Sequence, residues 1–386
     1  MNIRILLLDG SGTQALPIAK ALYRKGYKLY SLCAEKYSYG YYTKYVSSKQ
    51  LILPTTELIL KNVVSEYIQR NQIDIIIPLS DRSAKLLSLY KEEFSKICQF
   101  IISDYKVFQN GFEKNRLMNI CQKLGVSHPY TIDLTGEAPF DLSSMKFPAI
   151  IKPNITTGAR GMVVVHDEKE FYSVYPSIRR IYGSCHLQHY INESTRQLNV
   201  HLYVDKNGCL LESSMVWKAR FYPVKAGSST CCISLERQLN IIEQCYKVLR
   251  YIGYIGFASF DLIEDPYDGT ANIMEINPRF PANIAISQIS GIDYGNVMVN
   301  DILGKPYQTQ PYYSGKILRH IGLDLLWFCK SPKRWKTTPN WFHLVGNNIG
   351  YQDFDITDPL SFIMGTYGNI QKQCNPSFRQ QKSGVQ

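Results

Sequence analysis

GYIGFASFDLIEDPYDGTANIMEINPRF, Gly253–Phe280, is the stretch from which the rest of the chain can be read. Two apolar arms, GFASFDLIE and ANIMEIN, flank Asp265-Pro266-Tyr267-Asp268-Gly269, whose closing Asp-Gly is a hairpin signal. Successive strand side chains alternate between faces, so Glu275 and Asn277 share one face. Pairing around the turn brings Asp261 near Glu275. Three oxygen side chains on one face suit a hard cation such as Mg²⁺ or Mn²⁺. Arg279 follows at once, a forked donor for phosphate or carboxylate. The bland alternative is a solvated hairpin with a polar outer face. Against it, a segment as apolar as ANIMEI does not hold Glu and Asn without partners.

Composition narrows the class. A chain of 386 residues accommodates two or three domains, and 45% apolar with 19% charged residues describes an ordinary globular protein. The net charge of +11 suits nucleic acid, an anionic membrane surface, or phosphorylated and carboxylated small molecules. No Lys/Arg block with interleaved aromatics is strong enough to favour nucleic acid. The ten cysteines include no C-x-x-C pair, and no secretory segment opens the chain, so the expectation is a reduced, cytoplasmic protein. No apolar run reaches the roughly eighteen residues of a membrane span.

From the start, NIRILLLDGSGTQALPIAKALYRKGYKLYSLC predicts strand, glycine turn, helix and strand, a βαβ unit of a parallel sheet. Gly10 and Gly12 lack the third glycine of the dinucleotide fingerprint, though Glu35 could stand for its ribose-binding acid. An NAD(P)-dependent enzyme is therefore one alternative. The tyrosine-rich Lys36–Tyr45 reads as a packed surface loop or an aromatic ligand loop. A strand at Ile73–Pro78 leads into a helix from about Asp81, either an N-cap or a ligand-facing acid at a strand end. Helical spacing of Leu117, Ile120, Cys121 and Leu124 ends at Gly125, with Lys114 on the polar face. Phe147–Pro153 is an apolar strand carrying Lys152, which needs an anionic partner. After it, Thr156–Gly161 is a small, glycine-rich loop that can present N–H groups to phosphate, with Arg160 adding charge; an ordinary hairpin turn is the alternative.

The run Glu275-Ile276-Asn277-Pro278-Arg279 behind an acidic strand resembles the metal-binding signature of the ATP-grasp superfamily, especially its carboxylate–amine ligases and carbamoyl-phosphate-synthase-like members. The resemblance covers about residues 1–310. It implies an α/β and α+β chain: a Rossmann-like domain (1–108) that binds no NAD, then a two-lobed ATP-grasp domain (109–310, small lobe about 140–190, large lobe about 191–310). A C-terminal extension (311–386), disordered at its end, follows. ATP would lie between the lobes, with Lys114, Lys152, Thr157, Gly158, Arg160 and Gly161 on its phosphates. The hinge Cys185–Glu193 would meet the adenine edge through Gln188, His189 and Ile191. Relatives carry Glu where Gln188 stands and a ribose-binding acid near Thr195; Glu193 is the nearest acid here. Asp261, Glu275 and Asn277 would hold magnesium, while Lys152 and Arg279 act on the transferring group. Pro281, Ala282 and Asn283 replace the usual Gly and Ser, so no relative's substrate carries over.

His189 and His201 read as structural histidines. Asn207-Gly208 marks a further hairpin, with Lys218 and Arg220 as plausible substrate or phosphate contacts, and a helix is expected over about Leu235–Leu249. The implied activity is amide formation from a small carboxylate and an amine through an acyl phosphate, releasing ADP. A non-catalytic nucleotide-binding module is the remaining alternative. Partners are small molecules rather than nucleic acid, with a homodimer and a weak membrane-surface contact through the basic, aromatic SPKRWK region (Ser331–Lys336) also considered; a solvated face is the plainer reading there.

Overall fold

A computed structural model describes residues 3–53, 55–155, 160–191, 195–224 and 227–375. The N-terminal elements are β1 (Arg4–Leu8), α1 (Ala15–Arg24), β2 (Lys28–Cys33), α2 (Tyr39–Tyr42), β3 (Ser48–Leu51), α3 (Glu57–Asn71), β4 (Ile75–Pro78), α4 (Asp81–Leu89) and α5 (Lys91–Phe94). Their four strands form a parallel sheet in the order β3-β2-β1-β4. Both faces of β1 are covered: Leu6 and Leu8 pack with α3 and α4, Ile5 and Leu7 with α1 and residues near Phe280. Burial on both sides is what the unbroken apolar run Ile5–Leu8 requires.

Two helices, α6 (Tyr105–Phe112) and α7 (Lys114–Leu124), lead to the second sheet. Gly125, left-handed at φ +62°, closes α7 as the sequence predicts. The second sheet is built from β5 (Thr131–Asp133), β6 (Ala149–Pro153), β7 (Val163–Val165), α8 (Glu168–Tyr182) and β8 (Cys185–His189). Its strands are antiparallel in the order β5-β8-β6-β7, with α8 on one face.

The third sheet begins with β9 (Gln197–Val204), β10 (Leu210–Tyr222), β11 (Ser228–Leu235), α9 (Leu239–Ile252), β12 (Gly256–Glu264) and β13 (Ala271–Asn277). It continues through α10 (Ala285–Ile289), α11 (Tyr294–Ile302), β14 (Ile317–Arg319), α12 (Ile321–Lys330), β15 (Ile349–Tyr351) and α13 (Pro359–Cys374). The strand order is β13-β12-β9-β10-β11-β14-β15. Along β9, Leu198, Val200, Leu202 and Val204 turn to a core with α7 and α9, which leaves Asn199 and His201 on the opposite, polar face. The helix expected from Leu235 starts at Leu239, because Ser228–Leu235 is a strand paired with β10. Residues beyond 310 add two strands to this sheet, and α13 returns to lie against α2. There Gly365 and Gly368 allow close approach: a Cβ on Gly368 would lie 1.9 Å from the Tyr37 carbonyl oxygen.

Candidate active site

The hairpin β12–β13 pairs with one irregularity. Counting outward from the turn, Glu264 faces Ala271, Ile263 faces Asn272 and Leu262 faces Ile273; a regular ladder would next set Asp261 opposite Met274. A bulge at that step gives Asp261 opposite Glu275 instead. The extra residue turns Glu275 onto Asp261's face, the re-aiming for which bulges beside functional sites are suited. Asn277 Nδ2 then donates to Asp261 Oδ2 at 3.3 Å and to Glu275 Oε1 at 3.4 Å. The three predicted metal ligands stand together.

Each carboxylate has a cation. Lys218 Nζ, from β10, is 2.8 Å from Asp261 Oδ1, and Lys114 Nζ, on the first residue of α7, is 3.2 Å from Glu275 Oε2. Burial pushes the Asp261 carboxyl up, Lys218 pulls it back in part, and the Glu275 charge pushes it up again. Burial is the largest influence on Glu275 and opposes its ionisation, but Lys114, a hydrogen bond with Asp261 and the Lys218 charge together outweigh it and hold this carboxyl below the ordinary range. Two acids and an amide, held apart by ammonium groups, are a donor set that fits a hard divalent cation. Among the described residues no three His, Cys, Asp or Glu side chains form a metal-binding group, so such an ion would draw its remaining ligands from a substrate or water.

Arg279 is fixed from the N-terminal sheet: its Nε and Nη2 donate to Asp81 Oδ1 and Oδ2 at 3.0 and 3.3 Å. The helix cap beside it is Ser80, whose hydroxyl accepts from the Ser83 N–H, so Asp81 is left for Arg279. Nη2 of Arg279 also reaches Asn277 Oδ1 at 3.4 Å. These side chains line a cavity of about 210 Å³.

Lys152 enters from the second sheet, on β6. It is buried, and its Nζ donates to Gln188 Oε1 at 2.7 Å. The expected anionic partner is thus a neutral amide. Burial and the Lys114 charge lower the Lys152 ammonium to about 8, with Glu275 opposing from a distance. Gln188 is occupied on its other side, donating to Thr131 Oγ1 and Met118 Sδ. The His189 N–H donates to Tyr130 O within the sheet and its ring meets Lys146 O; Ile191 is buried just beyond. Arg160 is exposed, and Gly161 takes φ +69° against the Tyr182 ring. Thr157, Gly158 and Glu193 lie outside the described residues.

Arg220 and Asn199 also depart from what the sequence suggests. Arg220 is not a ligand contact: it is fully buried and bidentate on Asp324. Asn199, not anticipated, donates to Asp261 and accepts from Asn283 Nδ2 at 3.0 Å. The signal for it was present, a lone amide in the apolar strand LNVHLYV. His201 is structural as expected, buried against Ser287 and Ser214 and lowered to about 3 by burial and the Lys218 charge.

Comparison with known proteins matches this geometry to a family. The ATP binding domain of carbamoyl-phosphate synthase L chains matches residues 113–307. D-aspartate ligase of Enterococcus faecium is 24% identical over 66% of this chain and 65% of its own length. A carbamoyl phosphate synthase large chain of Clostridium beijerinckii is 23% identical over 69% of this chain. This chain therefore spans just under two thirds of the one relative and a quarter of the other. In fold it resembles biotin carboxylase from Campylobacter jejuni, with a TM-score of 0.69 at 18% identity, covering 82% of this chain and 75% of that one. It also resembles N5-carboxyaminoimidazole synthetase from Staphylococcus aureus, solved with ADP, with a TM-score of 0.63 at 16% identity and coverage of 82% and 81%. With half its length matched by the one domain, the chain belongs to the carbamoyl-phosphate-synthase ATP-binding branch of the ATP-grasp superfamily.

Proposed function

We propose that this chain is an ATP-dependent carboxylate–amine ligase, forming an amide through an acyl phosphate with release of ADP and phosphate. The observation that carries the reading is the convergence of Asp261, Glu275 and Asn277 on one face beside a fixed Arg279. Binding a nucleotide does not by itself need all four groups so arranged, which weighs against a non-catalytic module. Against a dinucleotide enzyme stands the turn at Gly10: the backbone of Gly40 packs on its carbonyl, with α2 against α1 and α13 behind it, where the glycine turn of a dinucleotide site would face its ligand. The N-terminal parallel sheet is read as a Rossmann-like unit (1–108) that walls the site, followed by the two-lobed domain (109–310) and the extension (311–386).

Lys114 and Lys152 would receive the phosphate chain, while Asp261, Glu275 and Asn277 would hold magnesium, which when bound offsets the charge of the triphosphate. A substrate carboxylate oxygen attacks the γ-phosphorus, and the bond to ADP breaks. The amine nitrogen then attacks the acyl carbon, phosphate departs, and the amine proton leaves to solvent. Arg279, its planar fork set by Asp81, stabilises the transferring group and then the tetrahedral oxyanion.

ADP release across a panel of carboxylates crossed with amines tests this. One pair is expected to stimulate release, and Glu275→Ala to reduce it about 10²–10³-fold with an unchanged circular dichroism spectrum. Unaltered release in Glu275→Ala overturns the metal assignment.

A further inference from the structure

From Leu325 to Gln352 the chain contains no Asp or Glu, yet it carries Lys330, Lys333, Arg334 and Lys336. The same stretch exposes its apolar side chains. Val345 is 82% exposed, Trp335 69% and Phe342 56%, and Leu344 and Leu325 are exposed as well. We propose that this face docks the protein on an anionic lipid bilayer, the aromatic and aliphatic tips entering the interface while the cations meet lipid phosphates.

The patch is rigid. Phe328 sits at the centre of a ring cluster, 4.2 Å from Trp341 and 5.3 Å from Trp335 between centroids, and Trp335 lies nearly parallel to Phe342. Beneath it the backbone is pinned by two buried arginines that share Asp324. Arg319 donates to the Trp341 and His343 carbonyls at 2.8 and 2.9 Å, and Arg220 to the Pro339 carbonyl at 2.8 Å. Preset loops lose little freedom on binding. No helix among the described residues is long and apolar enough to cross a membrane, so the contact is peripheral.

Charge and shape select the occupant. A tryptophan set between Arg334 and Lys336 is the composition of a water–lipid interface, and a basic stretch without acids of its own is drawn to an anionic leaflet. Nucleic acid fits less well: the rings are packed on one another rather than standing apart as platforms for bases, and Val345 and Leu344 offer a base nothing. The face also borders the chemistry. Lys333 and Lys336 line a second cavity, of about 990 Å³, into which Lys218 projects from the site.

Vesicle flotation of the full chain tests the assignment without turnover, so its outcome is independent of the ligase reading. Binding is expected to phosphatidylcholine vesicles containing phosphatidylglycerol and not to phosphatidylcholine alone. Lys333→Ser with Arg334→Ser is expected to weaken it on the order of tenfold or more at moderate salt. Trp335→Ala with Val345→Ser is expected to weaken it at every salt concentration and to abolish quenching of tryptophan fluorescence by brominated lipid. All of these side chains are on the surface, and an unchanged thermal melt checks the fold. Absence of binding to the anionic vesicles overturns the proposal, as does binding that neither pair of substitutions weakens. Equal retention on an anionic polysaccharide or single-stranded DNA without quenching by lipid overturns it in favour of a polyanion surface.

Discussion

Lys152 carries its charge at the edge of stability. Burial and the neighbouring Lys114 bring it to about 8, so the side chain that would meet phosphate is protonated at neutral pH and loses its proton within the assayable range. On the proposed assignment it is the protonated form that would bind nucleotide. Affinity for Mg·ATP is therefore expected to be level below pH 8 and to fall as pH rises past it, approaching tenfold per unit, in calorimetric titrations at pH 7, 8 and 9. Lys152→Met should give weak binding with no such slope; a flat profile for the unaltered protein removes Lys152 from the phosphate site. At this scale much of the site was readable. Glu275, Asn277, Asp261, Lys152 and Asn199 are polar residues set in apolar strands, and such positions announce a need for partners. Their actual partners were not readable. That Lys152 meets an amide, that Lys114 sits on Glu275, and that Arg220 lies under Asp324 all depend on which strands become neighbours.

Among the elements, the β12–β13 hairpin shows most clearly what a linear pattern hides. Its arms and its Asp-Gly turn are legible, and so is the shared face of Glu275 and Asn277. The bulge is not: a ladder counted from the turn puts Met274 opposite Asp261, and only the pairing geometry inserts the additional residue. Deleting Met274 is expected to regularise the ladder with Glu275 still opposite Asp261, since Met274 is the additional residue. ADP release should then stay well above the level of Glu275→Ala while the hairpin still forms, as read by backbone amide exchange. A fall to the Glu275→Ala level in the deletion variant counts against the register argument. Other elements escaped the sequence for plainer reasons. Ser228–Leu235 is rich in Ser, Thr and Cys and shows no clear alternation, while β14 and β15 are three residues each, too short for any period. They exist because long-range pairing completes them.

For the whole molecule, the C-terminal segment is bound by charge as much as by packing. Asp324 is buried and serves Arg220 and Arg319 together, two hydrogen bonds from each, with Thr230 as a third donor. Asp324→Ala leaves two buried guanidinium groups without a counter-charge, a loss of about 3–5 kcal/mol expected in urea unfolding. A change below about 1 kcal/mol would show that water reaches the pair.

Residues 355–372 also tie back to the first sheet. Asp355 pairs with Lys20, Asp358 accepts from the Thr43 hydroxyl, and Lys372 pairs with Glu35, while Arg279 and Asp81 join the same two bodies from the other side. The sheet of β5 to β8 meets the opening turns of α7 through Lys114, Asn115 and Met118. Under the proposed function, this sheet, joined to the rest through α7 and the chain into β9, is the jaw expected to open for spent nucleotide to leave.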